Sequence, residues 1–192
     1  MQTKHIHFTL NGKAVETVVD VRASLTDLLR NDYRMTSVKK GCEVGECGAC
    51  NVLIDGEAFN SCIYLAVWAD GKSIRTVEGL VSPEGKLSDI QQAFVDEAAV
   101  QCGFCTPGFI MTAVEVLETG KDYSRDELKK LLSGHLCRCT GYENIINAVE
   151  KTMKKRLAEK QKADGVPLTF LERLTFLERK VSKRTFCWGN EF

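Results

Sequence analysis

The stretch Gly41-Cys42-Glu43-Val44-Gly45-Glu46-Cys47-Gly48-Ala49-Cys50 carries three cysteines, and Cys62 follows after eleven intervening residues. The C-x4-C-x2-C opening is typical of the ligands of a plant-type [2Fe–2S] cluster. Glycines in such a loop let the backbone adopt positive φ and bring N–H groups close to sulfur, which offsets the negative charge of a four-thiolate cluster. Zinc knuckles instead favour paired C-x2-C units. We therefore predict an iron–sulfur site here.

A second set of four cysteines lies further along the chain: Cys102, Cys105, Cys137 and Cys139. Each pair comes just before a predicted helix, and the N-terminus of a helix favours an anion such as a negative cluster. On the residues alone this set is compatible with an iron–sulfur cluster or with zinc, because all-cysteine zinc sites tolerate varied spacing. For His135, two residues before Cys137, we predict a surface position or a hydrogen-bonding role rather than a ligand.

The first part of the chain, residues 1–78, is predicted to be rich in strands. Ile6, Phe8 and Leu10 alternate on one face, and Asn11-Gly12 predicts a hairpin turn. Ser24 is a candidate N-cap for a short helix. The other predicted strands cover 14–19, 51–54 and 71–77. Together these patterns predict a small sheet with one helix across it.

Beyond a linker at 79–86, the hydrophobic period becomes helical. Capping-box patterns begin at Ser88 and Ser124, Pro107 suits a first helical position, and a final helix is predicted from about Glu143. These signals predict four helices in residues 87–158, the number that a small four-helix bundle needs.

The composition restricts the function classes. The 192 residues are 44% hydrophobic, and 26 Lys plus Arg balance 26 Asp plus Glu, so we expect no nucleic-acid partner. No apolar run approaches the length of a membrane span, and the start of the chain lacks the features of a signal peptide. We expect a cytoplasmic protein, where thiols stay reduced and bind metal. Nine cysteines then mean eight ligands and one spare thiol, Cys187.

Three motifs resemble those of one known family. The segments 41–50 (GCEVGECGAC), 101–108 (QCGFCTPG) and 135–142 (HLCRCTGY) resemble the iron–sulfur subunits of the molybdenum hydroxylases. That family includes xanthine dehydrogenases, aldehyde oxidoreductases and carbon monoxide dehydrogenases. The resemblance covers about residues 3–158, and the stretch 61–79 is most similar to bacterial xanthine dehydrogenase small subunits.

The resemblance implies an α+β protein with a plant-type ferredoxin-like β-grasp domain and a C-terminal four-helix-bundle domain. It implies two [2Fe–2S] clusters. Cys42, Cys47, Cys50 and Cys62 would hold the cluster nearer the flavin. Cys102, Cys105, Cys137 and Cys139 would hold the cluster nearer the molybdopterin, and Gln101 and Cys139 would contact the pterin itself. Residues 159–192, which repeat 168–173 as 174–179, lie outside the resemblance.

By the same resemblance the chain is an electron-transfer subunit without a substrate site or a catalytic residue of its own. A molybdopterin-binding large subunit would hydroxylate the substrate, with purines such as xanthine expected first, and an FAD-binding medium subunit would receive the electrons. Aldehyde, carbon monoxide or N-heterocycle dehydrogenases of the same family are alternatives. A free-standing two-cluster ferredoxin and a structural zinc protein are the remaining hypotheses.

Overall fold

A computed structural model describes residues 2–163, and the first part of these residues forms a mixed five-stranded sheet. The strands are β1 (Thr3–Leu10), β2 (Lys13–Asp20), β3 (Asn51–Ile54), β4 (Glu57–Asn60) and β5 (Ser73–Arg75). Their order across the sheet is β2-β1-β5-β3-β4, with β1 and β5 parallel and the other neighbours antiparallel. The repeat at 168–179 and Cys187 lie outside the described residues.

The N-terminal hairpin forms where the sequence predicts it. Asn11 and Gly12 both adopt positive φ, +50° and +81°, as the tight turn between β1 and β2 requires. The last strand is shorter than the predicted 71–77, because Gly71 turns the chain with φ of +75° and Val77 already begins a 3₁₀ turn. This turn leaves the sheet at the start of the predicted linker.

A short helix covers one face of the sheet. The Ser24 hydroxyl accepts a hydrogen bond from the Asp27 amide at 3.0 Å and caps α1 (Leu25–Asp27). Helix α1 continues directly into a π-helical turn, Leu28–Asp32, which the sequence pattern did not predict. Leu25, Leu28 and Leu29 are buried against the inward face of the sheet, in the same core as Ile6, Phe8 and Leu10.

The rest of the described chain is helical. The helices are α2 (Asp89–Asp96), α3 (Thr106–Glu118), α4 (Arg125–Leu131) and α5 (Glu143–Ala163). Capping boxes at Ser88 and Ser124 precede α2 and α4 as predicted, whereas Thr106 rather than Pro107 is the first residue of α3. The predicted α+β class is therefore confirmed.

The helical part packs onto the sheet through α3. This helix contacts β3 and β4, and the Asn51 side-chain amide donates to the Thr112 hydroxyl at 3.0 Å. The Arg75 guanidinium at the end of β5 also lies 2.7 Å from the Glu118 carboxylate at the end of α3. Residues up to Lys154 form one compact unit, and Lys155 begins a second. Both cysteine sets lie in the first unit.

Candidate metal centres

The first cysteine set lies at one end of the sheet. Cys42 and Cys47 are in the irregular loop that follows the π-helical turn, Cys50 directly precedes β3, and Cys62 follows β4. The Cys42 thiol interacts with that of Cys47, and the Cys62 thiol interacts with that of Cys50 and more weakly with that of Cys42. The structure thus brings together all four side chains that the spacing predicted.

The loop points its backbone amides at one sulfur. Glu43, Gly45 and Gly48 adopt positive φ of 58°, 83° and 69°. The amides of Val44 and Glu46 consequently lie 3.5 Å and 3.3 Å from Cys42 Sγ. These hydrogen bonds, that of Val44 foremost, lower the pKa of Cys42 to about 6, so this thiol ionises near neutral pH.

In the same set, the Cys62 thiol favours its neutral form. Burial raises the pKa of Cys62 to about 11, and the neighbouring Cys50 thiol adds to the effect. A bound metal centre reverses this preference, because a coordinating thiol is deprotonated outright. The set is therefore suited to a cationic centre that supplies the charge balance for four thiolates.

The second cysteine set joins two loops. Cys105 is the N-cap of α3 and Cys102 lies three residues before it, whereas Cys137 and Cys139 lie in the loop before α5. The Cys102 thiol interacts with that of Cys139, and the Cys105 thiol with that of Cys137. The predicted members of this set are also brought together, although Gly141 and Tyr142, with φ of 65° and 70°, separate the C-x-C pair from the helix.

The thiols of the second set differ in acidity as those of the first do. Burial, together with the neighbouring Cys137 thiol, raises the pKa of Cys105 to about 12. Burial also acts on Cys137, but the hydroxyl and amide of Thr140, 3.1 Å and 3.5 Å from its sulfur, outweigh burial and lower the pKa of Cys137. Each set thus contains one thiol that local donors stabilise as a thiolate.

The spacing of the sulfurs bears on which metal fits. In a four-cysteine zinc site all sulfurs lie about 3.8 Å apart, given tetrahedral geometry and Zn–S bonds of about 2.3 Å. Among the described residues, no three cysteine sulfurs lie within 4.8 Å of one another. In each set the strongest thiol–thiol interactions join two pairs, and weaker electrostatic interactions act between the pairs. Two pairs match a two-iron cluster, in which each iron binds two cysteines, better than they match a single zinc ion.

The loops of the two sets touch through their backbones. The Leu136 amide, next to Cys137, donates to the Cys47 carbonyl at 3.1 Å. A Cβ atom on Gly48 would lie 2.2 Å from His135 Nδ1, and one on Gly108 would lie 2.1 Å from the Gly48 carbonyl oxygen. Glycine is therefore required at both positions, since a side chain at Gly48 would push the two loops apart and one at Gly108 would push α3 away from the first loop.

A buried polar group supports this contact. His135 is only 3% exposed, and its Nε2 lies 2.8 Å from the Thr112 hydroxyl, which also accepts from Asn51. Burial lowers the pKa of His135 to about 4, so the ring is neutral near pH 7. The hydrogen-bonding role predicted for His135 is correct, and the alternative surface position is wrong. The residue spacing predicted the glycines of the first loop but did not predict that Gly48 and Gly108 meet or that Thr112 bonds His135.

The second set opens to the protein surface. Gln101, Cys102 and Cys139 are exposed, so the two residues predicted to contact a pterin are accessible to another molecule. Large apolar side chains close to these residues in sequence are also exposed, with exposed fractions of 39% to 62%: Val100, Phe104, Leu136 and Tyr142.

Comparison with known proteins identifies both halves of the chain. The family model described as a 2Fe-2S iron-sulfur cluster binding domain matches residues 8–73, and the one described as a [2Fe-2S] binding domain matches residues 76–150. The nicotine 6-hydroxylase small subunit of Paenarthrobacter nicotinovorans is 51% identical over 144 residues, which are 75% of this chain and 86% of that protein. The chain belongs to the iron–sulfur small subunits of the molybdenum hydroxylases.

Two further relatives agree with this assignment. This small subunit is 50% identical over 156 residues to the xanthine dehydrogenase iron-sulfur-binding subunit of Escherichia coli O157:H7, covering 79% of this chain and 97% of that one. The crystal structure of quinoline 2-oxidoreductase from Pseudomonas putida 86 superposes with a TM-score of 0.78 at 45% identity, covering 83% of this chain and 98% of that one. As a member of the family, this small subunit has two [2Fe–2S] binding domains and serves an oxidoreductase complex.

Proposed function

We propose that this small subunit carries single electrons from a molybdenum–pterin centre in a large subunit toward FAD in a medium subunit. The observation that carries the proposal is the pair of four-thiol sets, whose loops are joined by the hydrogen bond from the Leu136 amide to the Cys47 carbonyl. A [2Fe–2S] cluster, when bound, takes up and releases one electron at a time. Two such sites in contact suit a relay and offer no group for bond chemistry.

The ligands that we propose follow the thiol pairs. Cys42 and Cys47 would share one iron of the first cluster, and Cys50 and Cys62 the other. Cys102 and Cys139 would share one iron of the second cluster, and Cys105 and Cys137 the other. Amides at Cys42 and the Thr140 donors at Cys137 stabilise the thiolate form and offset the negative charge of a bound cluster.

The chain itself provides a direct connection between the two sites. Cys47 belongs to the first set, its carbonyl accepts from Leu136, and a single peptide bond joins Leu136 to Cys137 of the second set. Gly48 allows this approach because it places no Cβ against His135, and Gly108 allows α3 to lie close against the first loop. We propose that these residues fix the separation of the two clusters.

The exposed apolar side chains indicate where partners bind, since large exposed apolar patches mark interaction sites. Val100, Phe104 and Leu136 are exposed and lie next to members of the second set in sequence, where Gln101 and Cys139 would contact the pterin of the large subunit. Val44 and Ile63, 65% and 60% exposed, lie beside the first set, and we propose that they face the FAD-binding medium subunit.

The same proposal includes the boundaries of the domains. Residues 1–78 would be the ferredoxin-type domain, 79–86 the linker and 87–158 the second cluster domain, with α2 to α5 as its four-helix bundle. The ranges of the two family models, 8–73 and 76–150, support this division.

No described helix is both long and apolar enough to cross a membrane. We place the complex in the cytoplasm because its thiols must stay reduced to bind metal.

The substrate class follows from the names of the relatives. Nicotine, xanthine and quinoline are all nitrogen heteroaromatic compounds, and the proteins named for them are 45–51% identical to this chain. We therefore propose that the complex hydroxylates a carbon of a nitrogen heteroaromatic ring, with purines included.

The test is purification of the native complex under anaerobic conditions. We expect about four iron and four labile sulfide per small subunit, two distinct EPR signals after reduction, and co-purifying molybdenum, pterin and FAD. If xanthine, nicotine or quinoline is a substrate, adding it to the oxidised complex should reduce both clusters, so that both EPR signals appear. A chain that isolates alone with both clusters is a free-standing ferredoxin, and a colourless chain with zinc would overturn the iron–sulfur assignment.

A further inference from the structure

Three metal-ligating side chains converge on the N-terminal hairpin, outside both cysteine sets. His5 and His7 are two residues apart on β1, so their side chains share one face of the sheet, and Glu16 on β2 pairs directly with His7. The Nε2 atoms of His5 and His7 lie 2.6 Å and 3.5 Å from Glu16 Oε1. All three ligand atoms lie within 4.8 Å of one another, and all three residues are exposed.

We propose that His5, His7 and Glu16 form a binding site for a divalent transition-metal cation of the zinc, nickel and copper group. Imidazole nitrogens suit these ions, whereas calcium and magnesium prefer oxygen ligands alone. Two imidazoles and one carboxylate provide three of the four ligands of a tetrahedral zinc ion and leave one position for water. The site would connect β1 to β2 across the edge of the sheet.

The hairpin holds these ligands in place before any ion binds. The β1–β2 ladder is continuous from Thr3 paired with Asp20 to Leu10 paired with Lys13. Ile6, between the two histidines, is fully buried, so the backbone cannot rotate His5 and His7 inward. Ligand atoms around a tetrahedral zinc ion lie about 3.4 Å apart. The observed spacing needs only side-chain rotation to reach that value.

Little opposes binding at this site. The contacts that a metal would replace are hydrogen bonds or ion pairs between exposed side chains, with exposed fractions of 47%, 63% and 61% for His5, His7 and Glu16. Such exposed pairs contribute little to stability. A cation replaces both contacts at once and is held by all three side chains together.

The test uses the full chain with its clusters in place, because free cysteines would also take up zinc. Zinc is titrated calorimetrically into wild type and into His7→Gln and Glu16→Gln variants of equal iron content. We expect one zinc site in the wild type that is at least tenfold weaker in each variant. Zinc should also raise the melting temperature of the wild type by more than it raises that of either variant at the same zinc concentration.

The matched control is Glu57→Gln, which removes an exposed strand carboxylate on β4. It should bind zinc as tightly as the wild type does. Equal stoichiometry and affinity in wild type, His7→Gln and Glu16→Gln would overturn the proposal. The iron content and EPR signals, measured on the same samples, report separately on the cysteine sets, so this result does not depend on the proposed function.

Discussion

The two cysteine sets achieve similar chemistry through different constructions. Three members of the first set come from one loop of nine residues, Cys42–Cys50, and none of its four cysteines is fully exposed. The second set needs two loops about thirty residues apart in sequence, and it leaves Cys102 and Cys139 exposed. The first set is thus formed locally, whereas the second forms only when α3 and the loop before α5 are packed together.

The acidity of the thiols and the exposure of each set have different structural causes. In each set one thiol has a lowered pKa, Cys42 or Cys137, and donors within four residues of it in sequence stabilise its thiolate. The exposed edge of the second set instead depends on tertiary packing. Local sequence can therefore set the charge of a site, while the fold decides which side of the site a partner reaches.

Loss of one ligand should have the largest effect and should distinguish the two sets. In Cys139→Ala we expect one EPR signal to disappear, the iron content to fall by about half, and reduction by substrate to stop, because a [2Fe–2S] cluster needs four ligands. The signal that remains belongs to the first set. EPR and iron analysis on the reduced complex measure this outcome.

The matched control is Cys187→Ala, which removes the cysteine that belongs to neither set. It should keep both EPR signals and the full iron content. An unchanged two-signal spectrum in Cys139→Ala would refute the ligand assignment of the second set.

The contact between the sets can be broken at Gly48. In Gly48→Ala the new Cβ would lie 2.2 Å from His135 Nδ1 and 2.6 Å from the Gly134 carbonyl oxygen, at a φ of +69°. Overpacking and the left-handed backbone together should cost about 2–5 kcal/mol. The apparent melting temperature should fall by about 2–4 °C for each kcal/mol in a chain of this size.

Gly85→Ala is the control for the backbone effect alone. Gly85 has a similar φ of +80°, but a side chain there would meet no atom within 4 Å of its Cβ. It should cost only about 1–2 kcal/mol. Equal losses for Gly48→Ala and Gly85→Ala would mean that the close contact between the two loops contributes nothing to stability.

Local signals in the sequence predicted most of the secondary structure. The Asn11-Gly12 turn and the caps at Ser24, Ser88 and Ser124 each act within a few residues, and the structure places all four as expected. The spacing of the cysteines also predicted which thiols lie together, because metal ligands must be close in space. Binding of iron by the named cysteines stays a prediction.

The contact between the two sets could not be predicted in this way. It depends on Gly48, Gly108 and His135, which meet only after the helices pack on the sheet. No periodic pattern connects residues so distant in sequence, and a histidine next to a cysteine motif is compatible with a surface or a buried position. The π-helical turn after α1 was missed for a related reason, since its hydrophobic residues fit an ordinary helix equally well.

A milder weakening of the contact is expected from Thr112→Val. Valine keeps the shape of threonine but leaves His135 Nε2 and the Asn51 amide without their shared hydroxyl partner. A buried polar group that loses its partner costs about 1–3 kcal/mol. Thermal unfolding of the full chain measures this loss.

Thr152→Val is the control, because Thr152 is also buried and its hydroxyl donates to the Ala148 carbonyl within α5. That carbonyl keeps its helical hydrogen bond, so the cost should be clearly smaller. If the two variants lose the same stability, the polar group around His135 has no special role in joining the two sets.

The smallest effect should come from substitution of Glu78. Its side chain binds Ser37, in the segment that leads to Cys42, and contacts no cysteine of the first set. Its carboxylate accepts from the Ser37 amide at 3.0 Å and from the Ser37 and Thr76 hydroxyls. Partial burial opposes ionisation, but these hydrogen bonds outweigh burial and hold the pKa of Glu78 below 4.5. Glu78→Gln should cost about 1 kcal/mol at pH 7, a value limited by solvent exposure.

The stabilisation by Glu78 should decrease as the pH falls. Because the native pKa of Glu78 is lowered, its stabilisation is complete above the unfolded pKa of about 4.5 and is lost as pH falls through the native value. The melting temperatures of wild type and Glu78→Gln should therefore converge between pH 5 and the acid limit of folding. Glu57→Gln, at an exposed position on β4, should stay within about 0.5 kcal/mol of wild type throughout. If the difference in melting temperature between wild type and Glu78→Gln stays constant as the pH falls, the charge of Glu78 does not stabilise the segment leading to Cys42.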